Sequence, residues 1–299
     1  MFEATPSIPK KAGHDIHGSK TTSISRLDRI TKAADILGVE EGETISADDE
    51  LLAALGYRAE LKREFSYVTV FGQSFGSMGI APAIAESMIF SLGSAGSVGM
   101  VWTYLVGCLL LIPVALSLGE LGSSMPTSGG LYYWVARLTP PRQRAFMCWI
   151  ANHFPDLWND MCTIANTISP HMFYIFLQFA MLLALIIALA AGTPSEFQNS
   201  ASFVFTDFEN TGYWMNNGWA FMLSFLTPVW VVSGFESAAT IAEEASNAAK
   251  AVPFAMVSSL VVAAMSGWAV IITIAFCMGT DVVKYCGITF GSAIGTDCF

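Results

Sequence analysis

Apolar residues form long runs from Ser66 onward, whereas the first 65 residues are mostly polar. A helix needs roughly 20 mainly apolar residues to cross a hydrocarbon core of about 30 Å. Five runs meet that length, at 67–91, 98–118, 172–191, 219–241 and 254–279. The pattern predicts an all-α integral membrane protein with about five transmembrane helices in a domain at 66–280, preceded by a polar tail at 1–65 and followed by a divergent tail at 281–299.

The polar tail contains two short amphipathic patterns. One helical face in the stretch 25–38 carries apolar residues at helical spacing, namely Leu27, Ile30, Ala34 and Leu37. Further on, Ser46 followed by Asp49 resembles a capping box that opens a helix over 47–57. We expect a cytosolic tail with some helix at the membrane surface.

Composition supports a membrane protein. Hydrophobic residues make up 54% of the 299 positions and charged residues 13%, about half the charged fraction of a soluble domain. The net charge of -10 excludes a nucleic-acid partner, and half of the 24 acidic residues lie before residue 65. Residues 1–20 contain no apolar core of a signal peptide, so the first span is expected to direct insertion. The six cysteines show no CxxC pairing, and we expect neither a metal nor a cofactor.

Lysine and arginine predict the orientation, because cytosolic flanks of membrane spans are enriched in them. Arg58, Lys62 and Arg63 precede the first span. The second span is followed by further arginines, and the fourth by Lys250, whereas 192–218 has no basic residue. The N-terminus is therefore expected to be cytosolic.

The stretch 146–169 is aromatic but interrupted by polar residues. Each charge at mid-membrane costs about 2.5–3.5 kcal/mol on an insertion scale, so an interfacial segment fits better than a span. His153, Asp156 and Asp160 are a weak candidate for a metal or acid–base cluster, which a hydrated loop explains as well.

The first span contains residues that interrupt a helix. Gly72, Gly76 and Gly79 precede Pro82, and unwinding at Gly76–Ser77–Met78–Gly79 exposes backbone groups that only protein or a watery cavity can satisfy. The helix beginning near Pro82 then directs its positive end at that point, which suits an anionic group. The alternative is a GxxxG surface for close helix packing.

The fourth span repeats this arrangement, with Pro228 and Gly234 in mid-span and Glu236 among apolar residues. Two interrupted spans favour a cavity between them. Glu86 and Glu236 are then candidate intramembrane carboxylates that carry protons or pair with cations, although Glu86 lies near the outer end of its span and can reach water. Aromatic and thioether side chains that can form an apolar or cation–π wall for an amine are Phe75, Met78, Trp230 and Phe235.

Three sequence stretches resemble a known family. The runs "GELGSSMPTSGGLYYW" (119–134) and "TPVWVVSGFESAATIAEEASNAAKAVP" (227–253), with the glycine-rich first span, are similar to the amino acid–polyamine–organocation permeases. The run "LLAALGYRAELKREFS" (51–66) resembles the fungal amino acid/choline branch, which includes GABA permeases.

The resemblance implies a fold of twelve spans, ten of them in two inverted five-helix repeats, with substrate held between unwound first and sixth helices. It implies a substrate site formed by Gly76, Ser77, Met78, Gly79, Trp230, Ser233, Gly234 and Phe235, with Glu236 in gating. Two inner loops would serve gating and folding: the loop after the second helix, with Glu120, Pro126, Ser128, Gly129 and Gly130, and the loop after the sixth, with Glu243, Glu244, Lys250 and Pro253. The chain departs from the family pattern because a helix pair is missing near Trp149–Thr167 and most of the second repeat is absent.

These observations imply a secondary, proton-coupled permease for amino acids or related amines of the GABA, choline or polyamine class. The alternative is a truncated membrane protein that transports nothing alone and modulates a full-length permease. An enzyme is not expected, because the chain lacks an HExxH motif, a phosphate loop and a nucleophile–histidine pattern. The expected partners are the lipid bilayer, a small amino acid or amine and protons, in the plasma or vacuolar membrane.

Overall fold

The computed structural model of the chain describes residues 46–57, 61–153, 171–210 and 216–279. Within these residues the secondary structure is helical. The α-helices are α1 Ala47–Ala54, α2 Tyr67–Met78, α3 Ile80–Ser124, α4 Gly130–Leu138, α5 Arg144–His153, α6 His171–Gly192, α7 Ala201–Phe205, α8 Asn217–Ser224, α9 Leu226–Val231 and α10 Ala248–Cys277. Two 3₁₀-helices span Ser195–Phe197 and Phe235–Ala239.

Helix α1 belongs to an N-terminal unit, and the helices from α2 onward form a second one. Ser46 caps α1, since its hydroxyl accepts a hydrogen bond from the Asp49 backbone N–H at 3.1 Å and donates one to the Asp49 carboxylate at 2.7 Å. The predicted cap at Ser46 is therefore confirmed. The amphipathic stretch at 25–38 lies outside the described residues.

The first two predicted spans form one nearly continuous helical run. Helices α2 and α3 together cover 58 residues from Tyr67 to Ser124, nearly three times the roughly 20 residues of one crossing and so enough for two spans with their flanks. The run changes direction at Ala95 and Gly96, whose backbone angles are not helical. The turn lies between the two spans that the sequence predicts at 67–91 and 98–118, so the helical run contains both of them.

The remaining predicted spans correspond to three further helical runs long and apolar enough to cross a membrane. These are the run within α6 at 175–192, the α8–α9 run continuing to Ala239, and α10. Helix α10 begins at Ala248, earlier than the predicted 254, and takes Pro253 into its second turn. In the segment predicted to be interfacial, α5 covers Arg144–His153 and residues 154–170 lie outside the described part.

Helix α3 is the centre of the packing, with α8, α9 and α10 against it. Glycines on α3 allow close approach, as small residues do in membrane helix interfaces. A Cβ built on Gly107 lies 2.6 Å from a ring carbon of Pro228, and one on Gly122 lies 3.0 Å from Val252. Pro228, which the sequence suggested as a break, lies buried in α9, and the helical run is interrupted one turn before it, between Ser224 at the end of α8 and Leu226 at the start of α9, because proline has no N–H to donate to the Ser224 carbonyl.

Buried hydroxyl groups join α3 to α8 and α9. Ser91 Oγ donates to Thr227 Oγ1 at 2.6 Å, and Thr227 Oγ1 donates to the Ser87 carbonyl at 2.9 Å. Thr103 Oγ1 lies 3.1 Å from the Ser224 carbonyl. Hydrogen bonds between membrane helices are worth about 0.6 kcal/mol each on average. These bonds therefore add little stability individually, and their main effect is to fix the position of α8 and α9 along α3.

Candidate functional site

The first interruption is confined to one residue. Gly79 has φ 52° and ψ 51°, ends α2 and precedes α3. This left-handed conformation is common at helix ends and costs glycine little. Pro82 follows in the first turn of α3, where its missing N–H has no helical partner to lose. The expected unwinding of four residues was therefore too extensive, because Gly76, Ser77 and Met78 remain helical.

The second interruption is longer. Helix α9 ends at Val231, and no α-helix follows until α10 begins at Ala248. Gly234 has φ 101°, which only glycine adopts at little cost. The 3₁₀-helix Phe235–Ala239 and a series of turns fill the interval. The predicted break at Gly234 is thus the start of an irregular segment that continues to Asn247.

The two interruptions touch through serine side chains of α2. Ser77 Oγ lies 2.8 Å from the Gly234 carbonyl oxygen and 2.7 Å from Ser237 Oγ. Ser74 Oγ donates to the Phe235 carbonyl at 2.9 Å. Two carbonyls of the segment after α9 therefore lie within hydrogen-bond distance of α2 hydroxyls, and the Gly234 carbonyl also accepts the Ser237 N–H at 3.1 Å, so both are satisfied by protein as burial in a membrane requires.

The Ser77 hydroxyl has alternative partners. It has one proton, and it can donate that proton to the Gly234 carbonyl or to the Ser74 carbonyl, 2.9 Å away within α2. In either case it can accept a hydrogen bond from Ser237 Oγ. The contact between the two segments can therefore be rearranged without leaving the hydroxyl unbonded.

Glu236 faces an open cavity beside the second interruption. Its carboxylate accepts a hydrogen bond from the Gly234 N–H at 3.1 Å, and the side chain is partly buried. The cavity has a volume of about 230 Å³. Its lining is mainly apolar, comprising Leu111, Leu118, Leu131, Val229, Val232, Ser233, Phe235 and Glu236.

The structure brings some of the expected site residues together and separates others. Ser233, Phe235 and Glu236 line the cavity, and Ser77 and Gly234 form the contact beneath them. Trp230 is 44% exposed and is not part of the cavity lining. Glu86 is exposed on α3, away from this cavity.

Three of the other candidates are buried in α2. Gly76 and Met78 lie within its buried part. Phe75 is fully buried and stacks on Phe71 and Phe179, with ring centroids 5.6 Å and 4.8 Å apart. Its surroundings are those of a packing residue, so the sequence-based suggestion of a wall for an amine does not describe Phe75.

A second cluster of contacts joins the segment before α2 to the segment after the second interruption. Phe65 donates its N–H to the Glu244 carbonyl at 3.0 Å and accepts from Ser246 N–H at 2.8 Å, which makes a parallel bridge between Phe65 and Ala245. Arg63 donates to the Ala245 carbonyl at 3.2 Å. The irregular segment is therefore held at both of its ends.

The loop after α3 adds a further contact to this cluster. Glu243 Oε1 accepts hydrogen bonds from the Ser128 N–H at 3.0 Å and from the Ser128 hydroxyl at 2.8 Å. We call this contact the Ser128–Glu243 clamp. The two inner loops that the sequence resemblance points to are therefore in direct contact.

Sequence reasoning missed Ser74 and Ser237. Both hydroxyls are buried and bridge segments about 160 positions apart. A signal was present for Ser74, because it lies one helical turn before Ser77 and so on the same face of α2. The local sequence around Ser74 or Ser237 does not show which segment packs against that face of α2.

The chemistry of a metal site is not assembled in the part of the chain that the structure describes, where no group of three histidine, cysteine or acidic residues lies together. Cys108, Cys148 and Cys277 are free thiols. The candidate cluster of His153, Asp156 and Asp160 lies outside the described side chains.

The described helices, four runs of which are long and apolar enough to cross a membrane, are those of an all-α integral membrane protein. The amino acid permease family model matches residues 65–176 and 161–295. The chain belongs to the amino acid permease family. The second match reaches residue 295, within the tail at 281–299 that was expected to diverge.

The curated relatives are fungal permeases. The chain is 46% identical to an uncharacterised amino-acid permease of Schizosaccharomyces pombe, with 86% of this chain and 55% of the relative aligned. It is 29% identical to the GABA-specific permease of Saccharomyces cerevisiae, over 88% of this chain and 55% of that one. No solved structure matches the chain.

The chain spans about half the length of the curated relatives it matches. The Schizosaccharomyces pombe alignment extends over 305 residues while taking in 86% of this 299-residue chain, so the relative has residues within the aligned region that have no counterpart here. These unmatched residues of the relative are numerous enough for two spans of roughly 20 residues each. The two family matches meet at 161–176, close to the expected site of the missing helix pair.

Proposed function

We propose that this chain forms the part of a secondary permease that holds an amino acid or a related amine between two interrupted helices. The observation that carries the proposal is the direct contact of the two interruptions at Ser77, Gly234 and Ser237. Continuous helices would pack without such freed backbone groups. A GABA-specific permease among the relatives supports a small amino acid as substrate, and choline and polyamines remain candidate substrates of the same class.

The proposed substrate-binding residues are Gly76, Ser77, Met78, Gly79, Trp230, Ser233, Gly234 and Phe235. Within this set, the start of α3 after Gly79 offers backbone N–H groups and a positive dipole end to a carboxylate. The cavity beside Ser233 and Phe235 offers apolar walls to the rest of the molecule.

Glu236 is the proposed coupling residue. Its carboxylate lies at the cavity and accepts the Gly234 N–H, so a change in its charge acts directly on the backbone at the interruption. A carboxylate inside a membrane protein is a natural proton carrier. Glu86 is exposed and is proposed as a secondary coupling candidate on the other interrupted run.

The N-terminus is proposed to be cytosolic, in the plasma or vacuolar membrane. The support is the distribution of basic residues, with Lys62 and Arg63 before α2 and arginines in α4, α5 and the turn between them.

Uptake into proteoliposomes tests the proposal. The purified 299-residue chain is reconstituted with an imposed proton gradient, and accumulation of radiolabelled GABA and choline is followed with and without the gradient. Glu236→Gln should abolish the dependence on the gradient, whereas the control Glu196→Gln, an exposed site outside the cavity, should preserve it. Equal gradient dependence in both variants would remove Glu236 from the mechanism. Absence of both uptake and saturable binding would refute transport by this chain and favour a modulatory role on a full-length permease.

A further inference from the structure

Helices α4 and α5 form a hairpin that the proposed transport mechanism does not use. They are joined by a turn at 139–143 that is closed by a hydrogen bond from the Gln143 N–H to the Pro140 carbonyl at 3.0 Å. A groove of about 510 Å³ runs between the two helices. Its lining consists of Tyr132, Ala136, Pro141, Arg144, Ala145, Cys148 and Trp149.

The charged residues of the hairpin are all basic. Arg137, Arg142 and Arg144 lie on it, and the sequence has no acidic residue between Glu120 and Asp156, although the whole chain carries a net charge of -10. All three arginines are exposed. Among the residues that the structure describes, none of these guanidinium groups makes an ion pair or a hydrogen bond.

The hairpin also exposes large apolar side chains. Leu138, Phe146 and Trp149 are each more than half exposed to solvent. A helix pair with exposed aromatic residues beside basic ones is typical of a segment that lies in the membrane–water interface. This surface matches the two parts of a lipid, because the groove walls are apolar and Arg144 supplies a cation among them.

We propose that the α4–α5 groove binds an anionic phospholipid, with the headgroup phosphate on Arg144 and the acyl chains along Tyr132 and Trp149. Arginine suits this role because its planar guanidinium can donate two parallel hydrogen bonds to one phosphate. The inference goes beyond substrate transport. It uses the cytosolic orientation proposed above, which places the hairpin at the leaflet where anionic lipids are concentrated.

Trp149 provides a local probe of the groove. The full chain is reconstituted in phosphatidylcholine vesicles that carry phosphatidylserine with brominated acyl chains or, in the matched arm, phosphatidylcholine with the same brominated chains. The fluorescence of Trp149 is obtained as the difference between the wild type and Trp149→Phe. One basic residue near an anionic surface supplies about a fivefold preference, so half-quenching should require about fivefold less brominated phosphatidylserine than brominated phosphatidylcholine.

Two variants distinguish lipid binding in the groove from a general electrostatic attraction between the basic hairpin and anionic lipid. Arg144→Gln should abolish the preference, because it removes the cation that lines the groove. Arg142→Gln removes the same charge from the adjoining turn without touching the groove lining and should retain it, and circular dichroism checks that both fold alike. Equal losses in the two variants, or equal quenching by the two lipids in the wild type, would overturn the proposal. Displacement by inorganic phosphate, compared with chloride at equal ionic strength, would also overturn it, since a free anion would then be the ligand.

Discussion

Gly107 tests how closely α3 and α9 pack. A methyl group at this position would lie 2.6 Å and 2.8 Å from two ring carbons of Pro228, whereas carbon atoms normally approach to about 3.5–4.0 Å. The proline ring is rigid, so the helices must separate by about 1 Å. Such overpacking costs about 1–3 kcal/mol.

Gly93 supplies the matched control, because it lies in the same helix and a Cβ there meets no atom within 4 Å among the described residues. Both Gly→Ala changes gain about 0.8–1.0 kcal/mol of helix propensity, and this gain cancels in the comparison. Gly107→Ala should therefore be less stable than Gly93→Ala by about 1–3 kcal/mol. For a chain of this size, each kcal/mol lowers the thermal midpoint by about 2–4 °C.

The assay is the thermal midpoint of each variant in detergent, read from the fraction of a fluorescent fusion that stays monodisperse after heating. The midpoint of Gly107→Ala should lie about 2–12 °C below that of Gly93→Ala. Coincident midpoints would show that α3 and α9 do not approach this closely.

The remaining predictions concern the two interruptions and the clamp. Ser77→Ala should lower stability by about 0.5–1.5 kcal/mol, because the buried contact loses a hydrogen bond while the Gly234 carbonyl keeps the Ser237 N–H, whereas the exposed Ser117→Ala should change the thermal midpoint little; equal effects would contradict the contact with the second interruption. Gly79→Asn should express better than Gly79→Val in detergent extracts, because asparagine tolerates the left-handed conformation and valine does not; the opposite order would argue against the φ of 52°. Glu243→Gln weakens the two hydrogen bonds from Ser128 and should speed proteolysis of the loop after α3, and an unchanged cleavage rate would show that the clamp does not order this loop.

The spans could be predicted from the sequence because the length of an apolar run and its low charge decide membrane crossing. Each of the five predicted runs corresponds to part of a helical run, including the uncharged α6. The ends of the spans were less predictable where local backbone geometry determines them. Ala95 and Gly96 turn the chain without ending the helical run, and a hydropathy pattern does not encode such a turn.

The interruptions were predicted in place but not in extent. Gly79 was among four residues expected to unwind, yet it alone leaves the helix, because the left-handed cap and Pro82 in the next turn complete the break. At the second interruption the irregular segment runs on to Asn247. Its length depends on contacts with Phe65 and Ser128, which are distant in sequence and so absent from any local pattern.

The hydroxyl groups of Ser74 and Ser77 have a consequence for the cycle of the proposed carrier. A carrier has to return across the membrane empty, and an irregular segment whose carbonyls depended on cargo would be unstable during that return. The Phe235 carbonyl accepts the Ser74 hydroxyl, and the Gly234 carbonyl has both the Ser237 N–H and the Ser77 hydroxyl within hydrogen-bond distance. These carbonyls therefore need no cargo to complete their hydrogen bonds, and a substrate of the proposed carrier would bind through N–H groups and apolar walls.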